Sequence, residues 1–235
     1  MTGYFDTKDQ QKQDNLDQWH MARWSKFTAS ENYKLLVGNG TSTFGAGAYS
    51  YIKKKALQMC TMMWERPEME EVKSLLHGKM YEYPAYQALV RTTGYESLRY
   101  LGTEYPIFLE YEPLPNESGG SPDSISLSDD AKVEILAEIK CPKDPTNHFD
   151  RLKWKNQWDI KEGYFSCYTQ IQNLLLITGA ELGIFCSYDE RQLNPLHKVK
   201  IIDVKPDRKF QDGLDLRLKM AVKEKYRVLE EHLNA

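Results

Sequence analysis

Ser121-Pro122-Asp123 and Glu138-Ile139-Lys140-Cys141-Pro142 are the two stretches that decide the fold, and the glutamate follows the aspartate by fifteen positions. The segment between them contains two runs of alternating apolar residues, 124–127 and 133–139, joined by a turn-rich stretch. This period and this turn chemistry predict a β-hairpin. Such a hairpin would bring the two quoted stretches side by side.

Four groups of the predicted hairpin would form a metal site. Side chains alternate across a strand, so Glu138 and Lys140 project from one face, while Ile139 points into the core and offers its backbone carbonyl. Oxygen ligands from Asp123, Glu138 and this carbonyl suit one or two Mg²⁺ ions, or Mn²⁺ in their place. Such an ion activates water for phosphodiester hydrolysis. Lys140 would orient or deprotonate that water, or it would neutralise charge on the pentacovalent phosphorus. The alternative is that Glu138 and Lys140 form a solvated pair on an edge strand.

A capping box predicts a helix in the first part of the chain. Thr28 and Glu31 stand three residues apart in Thr28-Ala29-Ser30-Glu31, just before an apolar run. The helix would begin at residue 29 and end near the glycines at 38 and 40. Its free amides would make the surroundings of Ser30 an anion site, to which Arg23 would add a bidentate fork. The alternative is a capped surface helix with a solvated arginine.

The remaining periodicity predicts an α/β fold with a central mixed β-sheet flanked by helices. The other predicted helices cover 49–63, 68 to a kink at Pro84, 168–178 and 212–233, and the other predicted strands are 182–188 and 199–204. A polar Pro/Gly/Ser loop at 113–121 would lie beside the metal site. We expect one nuclease domain over 1–235, with a helical part at about 1–100, a metal-site core at about 101–205 and a C-terminal helix at about 207–233.

Composition suits a globular protein, but the charge restricts where DNA could bind. The chain is 41% hydrophobic and has a net charge of −3, so DNA binding requires a local basic track. The candidates are Lys53-Lys54-Lys55 and the cations interleaved with aromatics over 151–161, including Lys153, Trp154 and Lys155. Tyr168 could stack nearby. The alternative is a surface segment whose tryptophans pack inward, or a subunit interface.

Cysteines and hydropathy indicate a reducing, non-membrane location. The four cysteines lie far apart and form no C-x-x-C pair, which disfavours zinc and iron–sulfur sites. No apolar stretch reaches eighteen residues, and the first residues have no secretory leader pattern. We therefore expect a cytoplasmic protein with no membrane partner.

Four ordered blocks resemble the lambda-type phage exonucleases, or viral recombinases, of the PD-(D/E)XK nuclease superfamily, which implies a restriction-endonuclease-like core. They span residues 19 to 172, and comparable signatures are lacking elsewhere. The blocks are Trp19-His20-x-x-Arg23 with Thr28-Ala29-Ser30-Glu31, Gly78-Lys79-x-Tyr81-Glu82, Ser121-Pro122-Asp123 with Glu138-x-Lys140-Cys141-Pro142, and Tyr168-x-Gln170-x-Gln172.

The resemblance implies further residue roles. It makes Glu82 an additional catalytic acid and Gln170 the catalytic glutamine, and it assigns a terminal 5′-phosphate of DNA to Arg23 and Ser30. Because residues two apart on a helix point in nearly opposite directions, only one of Gln170 and Gln172 could face the site. The alternatives are a surface glutamate and a glutamine that hydrogen-bonds to backbone.

The resemblance also implies an activity and partners. It implies Mg²⁺-dependent digestion of linear double-stranded DNA from its ends, 5′ to 3′, by a ring-shaped homotrimer that works with a single-strand annealing protein in phage recombination. The alternatives are a structure- or site-specific endonuclease of the same superfamily and a non-catalytic DNA-end-binding module.

Overall fold

The computed structural model describes residues 7–36, 43–61, 69–102 and 106–234, with the backbone alone at 7–13 and 69–71. The helices are α1 (Thr7–Arg23), α2 (Ala46–Cys60), α3 (Met69–Thr93), α4 (Pro145–Arg151), α5 (Gln157–Gly163), α6 (Phe165–Thr178) and α7 (Arg208–Leu233). The strands are β1 (Phe27–Thr28), β2 (Arg99–Tyr100), β3 (Leu109–Glu110), β4 (Ser118–Gly120), β5 (Ser124–Leu127), β6 (Val133–Lys140), β7 (Leu182–Tyr188) and β8 (Val199–Val204). Short 3₁₀ helices cover Asn32–Leu35 and Pro195–His197.

The central sheet is mixed, as predicted. Its strand order is β2-β5-β6-β7-β8, with β6 and β7 parallel and the other pairs antiparallel. The β5–β6 pair is the predicted hairpin, and its register places Ser124 opposite Ala137. Asp123 extends this ladder, since its amide donates to the Ala137 carbonyl oxygen at 3.1 Å. The hairpin therefore brings Asp123 level with the acidic end of β6.

Helices cover both faces of this sheet. On one face, α6 buries Ile171, Leu174 and Leu175 against Leu136 and Phe185. On the other face, α3 packs against the strands in a second apolar cluster, which contains Leu89, Ala137, Ile139, Ile184 and Cys186. Since successive residues of β6 alternate between these two clusters, the strand is buried on both sides, as expected for the middle of an α/β sheet.

The capped helix predicted from residue 29 is wrong. Phe27 and Thr28 form β1, which pairs in parallel with β4, and the amide of Ala29 donates to the Gly119 carbonyl oxygen at 2.9 Å. The amide of Thr28 donates to the Tyr51 hydroxyl at 3.1 Å. Because distant partners take these backbone groups, helical structure begins only at Asn32, as a 3₁₀ helix without a side-chain cap. The predicted helix end at residues 38–40 lies outside the described residues.

The segment predicted as a polar loop over 113–121 contains β4, the middle strand of a second sheet in the order β1-β4-β3. Its residues Ser118, Gly119 and Gly120 are buried. A Cβ at Gly119 would lie 2.4 Å from the Leu109 carbonyl oxygen, so the close approach of β3 requires glycine there. The Pro/Gly/Ser composition therefore reflects tight packing at this place.

Helix ends differ modestly from the sequence predictions. The second helix begins at Ala46 and ends at Cys60, three residues short of the predicted end at 63. Helix α3 continues through Pro84 to Thr93, so the proline does not end it. The terminal helix covers Arg208–Leu233, close to the expected 207–233 and four residues before the start at 212 that periodicity predicts, because the Asp207 carboxylate accepts a hydrogen bond from the Phe210 amide as an N-cap. No helix in the described ranges is long and apolar enough to cross a membrane.

Candidate active site

The Asp123 cluster, which we define as Glu82, Asp123, Glu138, Lys140 and Gln170, forms at the hairpin. The ammonium of Lys140 donates to Glu138 Oε1 at 2.5 Å and to Gln170 Oε1 at 3.2 Å. The Ile139 amide donates to Asp123 Oδ2 at 2.6 Å. The predicted arrangement of the strand is therefore present, since the acid and the amine meet on one face while the Ile139 side chain is buried in the core.

Negative charge is crowded in the Asp123 cluster. Burial raises the pKa of Asp123 well above its usual range, and the carboxylates of Glu138 and Glu82 raise it further. Burial also raises the pKa of Glu82. Burial is the largest single influence on Lys140 and lowers its pKa, but Glu138 and other nearby acidic groups together outweigh it, so the pKa of Lys140 is raised and the amine stays protonated. One ammonium therefore faces three carboxylates.

Helix α6 places Gln170 in the Asp123 cluster and Gln172 on its opposite side. Gln172 is fully buried on the other side of the helix, where its amide donates to the Lys205 carbonyl oxygen and accepts from the Asp207 amide, each at 2.9 Å. Gln172 therefore anchors the segment before α7. The sequence-based choice of Gln170 as the residue that faces the hairpin agrees with this geometry.

The Asp123 cluster suits a divalent cation. The Glu138 side chain is only 2% exposed, and its Oε2 atom has no hydrogen-bond partner among the described residues. The described part of the chain has no group of three or more His, Cys, Asp or Glu side chains that could hold a metal ion. The ligands predicted from the sequence are the Asp123 and Glu138 carboxylates and the Ile139 carbonyl. With so few protein ligands, an ion here would keep several waters, as Mg²⁺ commonly does.

A second group of residues, the Arg23 cluster, lines the same pocket and consists of Trp19, Arg23, Ser30 and Ser121. The Arg23 guanidinium stacks over the Trp19 ring with 4.3 Å between the guanidinium carbon and the ring centroid. Trp19 Nε1 donates to the Ser121 hydroxyl at 2.8 Å, and Arg23 donates to it at 3.5 Å. Ser121 thus joins α1 to the segment that leads into Asp123.

Ser30 reaches the pocket by a different route from the one predicted. It follows β1, and its hydroxyl lies 3.4 Å from that of Thr28. Because the 3₁₀ helix begins two residues later and has only four residues, the predicted anion site at a helix N-terminus is not formed. The serine hydroxyl and the Arg23 guanidinium are the polar groups that remain for an anion.

The pocket that holds both clusters has a volume of about 1080 Å³. Among its lining residues, the positively charged side chains outnumber the carboxylates, which are Glu82, Asp123 and Asp144. The positively charged ones are Arg23, Lys79, Lys140, Lys143 and Arg151. A protein with a net charge of −3 therefore has a locally basic cavity around the carboxylates of the Asp123 cluster.

The predicted basic track over 151–161 is interrupted. Tyr168 is fully buried and its hydroxyl donates to Asp207 at 2.9 Å, so its predicted contact with DNA is wrong. Trp154 packs against Phe185 with ring centroids 5.7 Å apart, which matches the inward-packing alternative. Lys153 is exposed but lies 3.6 Å from Asp150.

Two other cations of the predicted tracks differ in exposure. Lys155 is exposed, so its contact with DNA stays a prediction. Lys55 is only 5% exposed and lies 3.7 Å from Glu31. The triple-lysine segment is therefore not a continuous DNA-binding surface, because one of its three ammonium groups points inward.

Sequence reasoning assigned no role to Trp19, Ser121 or Tyr100, which all contact site residues. Trp19 and Arg23 are four residues apart, so a helix over this segment would have placed them on one face. That helix was not predicted, because the stretch is mostly polar and has little apolar periodicity. Ser121 and Tyr100 meet their partners across long sequence separations, and no local pattern indicates such contacts.

Solved structures with the same fold are exonucleases. An alkaline exonuclease, LHK-Exo, from Laribacter hongkongensis has a TM-score of 0.71 and 23% identity, covering 93% of this chain and 96% of that one. LHK-Exo in complex with dAMP has a TM-score of 0.70 and 22% identity, and the match covers 92% of this chain and 95% of that one. A phage-related exonuclease from Haemophilus somnus 129PT has a TM-score of 0.66 and 14% identity, and the match covers 88% of this chain and 96% of that one. The predicted restriction-endonuclease-like fold is confirmed.

Comparison with protein-family models identifies the family of this chain. A search of curated protein sequences gave no match. Residues 18–181, well over half of the chain, match the YqaJ-like viral recombinase domain. This range contains Arg23, the Asp123 cluster and all four sequence blocks on which the predicted resemblance depends. The chain therefore belongs to the family of YqaJ-like viral recombinase domains.

Proposed function

We propose that this chain is a metal-dependent exodeoxyribonuclease that digests linear double-stranded DNA from its ends during phage-type recombination. Its recombinase family and its exonuclease fold support a nuclease role in recombination. The observation that carries the proposal is that Asp123 and Lys140 line a pocket that also contains Arg23, with Glu138 hydrogen-bonded to Lys140.

The Asp123 cluster supplies the chemistry. Asp123, Glu138 and the Ile139 carbonyl would hold Mg²⁺, with Mn²⁺ as a substitute and one or two ions per site. When bound, the cation activates water for attack on phosphorus and withdraws charge from the phosphate. Lys140, protonated beside Glu138, would stabilise the additional negative charge of the transition state at the scissile phosphate. Glu82 and Gln170 would contact the attacking water.

The Arg23 cluster supplies the recognition of the DNA end. A guanidinium that stacks on Trp19 has its orientation fixed before substrate arrives, which favours a bidentate contact with a 5′-phosphate. The Ser30 hydroxyl would donate a further hydrogen bond. Because Ser121 contacts both Trp19 and Arg23 and precedes Asp123 by two residues, the bound end lies a fixed distance from the scissile bond. Digestion from the 5′ end is the polarity that the resemblance to the lambda-type exonucleases implies.

Several wider features belong to the same proposal. The whole chain would act as one nuclease domain in the host cytoplasm. A ring-shaped homotrimer would enclose the duplex, and a single-strand annealing protein would receive the 3′ overhang. Lys153 and Lys155 would contact the DNA backbone outside the pocket.

Digestion of end-labelled duplex tests the proposal. Linear DNA with 5′-phosphate or 5′-hydroxyl ends and covalently closed circular DNA are incubated with Mg²⁺ or with EDTA. We expect release of mononucleotides from linear DNA in Mg²⁺ alone, faster from phosphorylated ends, and no cleavage of the circle. Cleavage of the circle would support an endonuclease instead. Binding of ends without any Mg²⁺-dependent cleavage would support a non-catalytic end-binding module.

A further inference from the structure

Tyr100 connects the helix that carries Glu82 with the strand pair that carries Asp123. Its hydroxyl donates a hydrogen bond to Glu82 Oε1 at 2.8 Å. Its backbone pairs with Ser124 on β5, the residue that follows Asp123. The next amide, that of Leu101, donates to the Asp123 carbonyl oxygen at 2.9 Å. A single edge strand therefore fixes Tyr100 relative to both acids.

The ring of Tyr100 is held from two sides. Tyr83 and Tyr86 of α3 contact it with centroid distances of 5.3 and 5.4 Å. On the other side the ring lies against the α-carbon of Gly102. A Cβ at Gly102 would lie 1.8 Å from the Tyr100 Cζ atom and 1.9 Å from its hydroxyl oxygen, so any other residue there displaces the hydroxyl. Gly102 is therefore part of the arrangement that fixes the hydrogen bond.

Glu82 lies among charges of both signs. The carboxylates of Glu138 and Asp123 repel it, whereas the ammonium groups of Lys140 and Lys79 attract it. The two acids favour rotamers that point away from the hairpin, so a contact of defined geometry is needed to select the observed one. A hydroxyl donor stabilises the carboxylate without adding a positive charge that would compete with a cation for the same oxygens.

On the basis of the proposed function, we infer that Tyr100 is a positioning residue that holds Glu82 toward the Asp123 carboxylate, and that Gly102 keeps the Tyr100 hydroxyl in place. The role belongs to the hydroxyl, since the ring contacts with Tyr83 and Tyr86 do not depend on it. Glu82 would otherwise adopt several rotamers, and only some of them would face the reacting phosphate.

Tyr100→Phe tests this inference, because it removes the hydroxyl and keeps the ring. Tyr86→Phe is the matched control, since Tyr86 lies in the same ring cluster and its hydroxyl donates to the Leu98 carbonyl oxygen at 2.7 Å. We expect Tyr100→Phe to lower kcat on 5′-phosphorylated linear duplex about tenfold, with KM and end binding in EDTA unchanged. Tyr86→Phe should keep the wild-type kcat. Thermal unfolding of each variant checks that the fold persists.

Gly102→Ala is the second variant, and it should lower kcat at least as much as Tyr100→Phe. The double variant should be no worse than the poorer single variant, because both act through one hydrogen bond. Glu82→Gln is the reference for the loss of the acid. If Glu82→Gln is impaired while Tyr100→Phe keeps its full kcat, the inference is wrong. It is equally wrong if Tyr86→Phe falls as far as Tyr100→Phe. Absence of wild-type digestion would instead refute the proposed function itself.

Discussion

The two walls of the pocket are built on different principles. The Asp123 cluster lies between α3 and α6 on the central sheet, and we call it the buried wall because its Glu138 is only 2% exposed. Its charges crowd one another in this rigid frame, which suits chemistry. The Arg23 cluster, which we call the recognition wall, lies at the end of α1 and depends on stacking and on side-chain hydrogen bonds with Ser121. These contacts orient its groups without crowding like charges, which suits recognition of an end.

Removal of an acid from the buried wall should have the largest effect. Asp123→Asn keeps the shape of the side chain but removes its charge, and we expect digestion of linear duplex to fall at least about 1000-fold. The same variant should unfold at a higher temperature than wild type in EDTA, because like charges no longer crowd Glu138. Digestion kinetics and thermal scans measure the two effects.

Asp129→Asn is the control, since Asp129 is exposed in the hairpin turn and should change neither quantity. If Asp123→Asn were less stable than wild type, the electrostatic crowding that we assign to this wall would not exist. If it kept its activity, the assignment of Asp123 as a metal ligand would be wrong.

The buried wall is also the part that sequence predicts well. The β5–β6 hairpin follows from local period, and β7 and β8 have the predicted bounds. The choice of Gln170 over Gln172 comes from the resemblance, not from the period. These elements form hydrogen bonds with near neighbours in sequence or follow a clear apolar pattern. Tertiary contacts then strengthen what the local pattern already favours.

Prediction from sequence fails at the recognition wall for a physical reason. The local capping signal at Thr28 competes with pairing of β1 to β4, and the pairing satisfies more backbone groups in the interior. The Trp19, Arg23 and Ser121 contacts join segments about 100 residues apart in sequence, as hydrogen-bond partners separated by 102 and 98 positions. No period or cap encodes such a pairing, so only its residue types could be identified.

Loss of the arginine should affect recognition more than chemistry. We expect Arg23→Gln to reduce the preference for 5′-phosphate over 5′-hydroxyl ends about 10- to 50-fold, because a charged hydrogen-bond donor is lost. The rate on 5′-hydroxyl ends should change little. Arg208→Gln on the exposed start of α7 is the matched control. Equal losses on both kinds of end would mean that Arg23 does not contact the terminal phosphate.

Lys55, behind the recognition wall, should make stability depend on pH. Burial lowers its pKa from 10.5 to about 8. Between these values the unfolded chain binds a proton that the folded chain releases, so this group's contribution to stability rises with pH. Lys55→Met should therefore be more stable than wild type by about 1 kcal/mol near pH 7, and the difference should shrink toward pH 10.

Urea unfolding at both pH values measures that difference. Lys53→Met is the control, because Lys53 lies on the exposed side of the same helix and should give no such trend. If the stability advantage of Lys55→Met over wild type grew with pH instead, the folded protein would prefer the charged form of Lys55, through its ion pair with Glu31.

Glu31 should slightly weaken the affinity of the recognition wall for the 5′-phosphate of DNA. Its carboxylate lies 2.7 Å from Lys34 and 3.7 Å from Lys55, and it also attracts Arg23 and Lys54. It is a negative charge among four cations, so it weakens their attraction for phosphate.

Glu31→Gln keeps the side-chain shape and should tighten binding of 5′-phosphorylated duplex in EDTA about two- to threefold at low salt. Glu181→Gln, on an exposed glutamate, should not. High salt should abolish the gain, because it screens partly exposed charges; a gain that persisted would instead indicate a rearranged pocket.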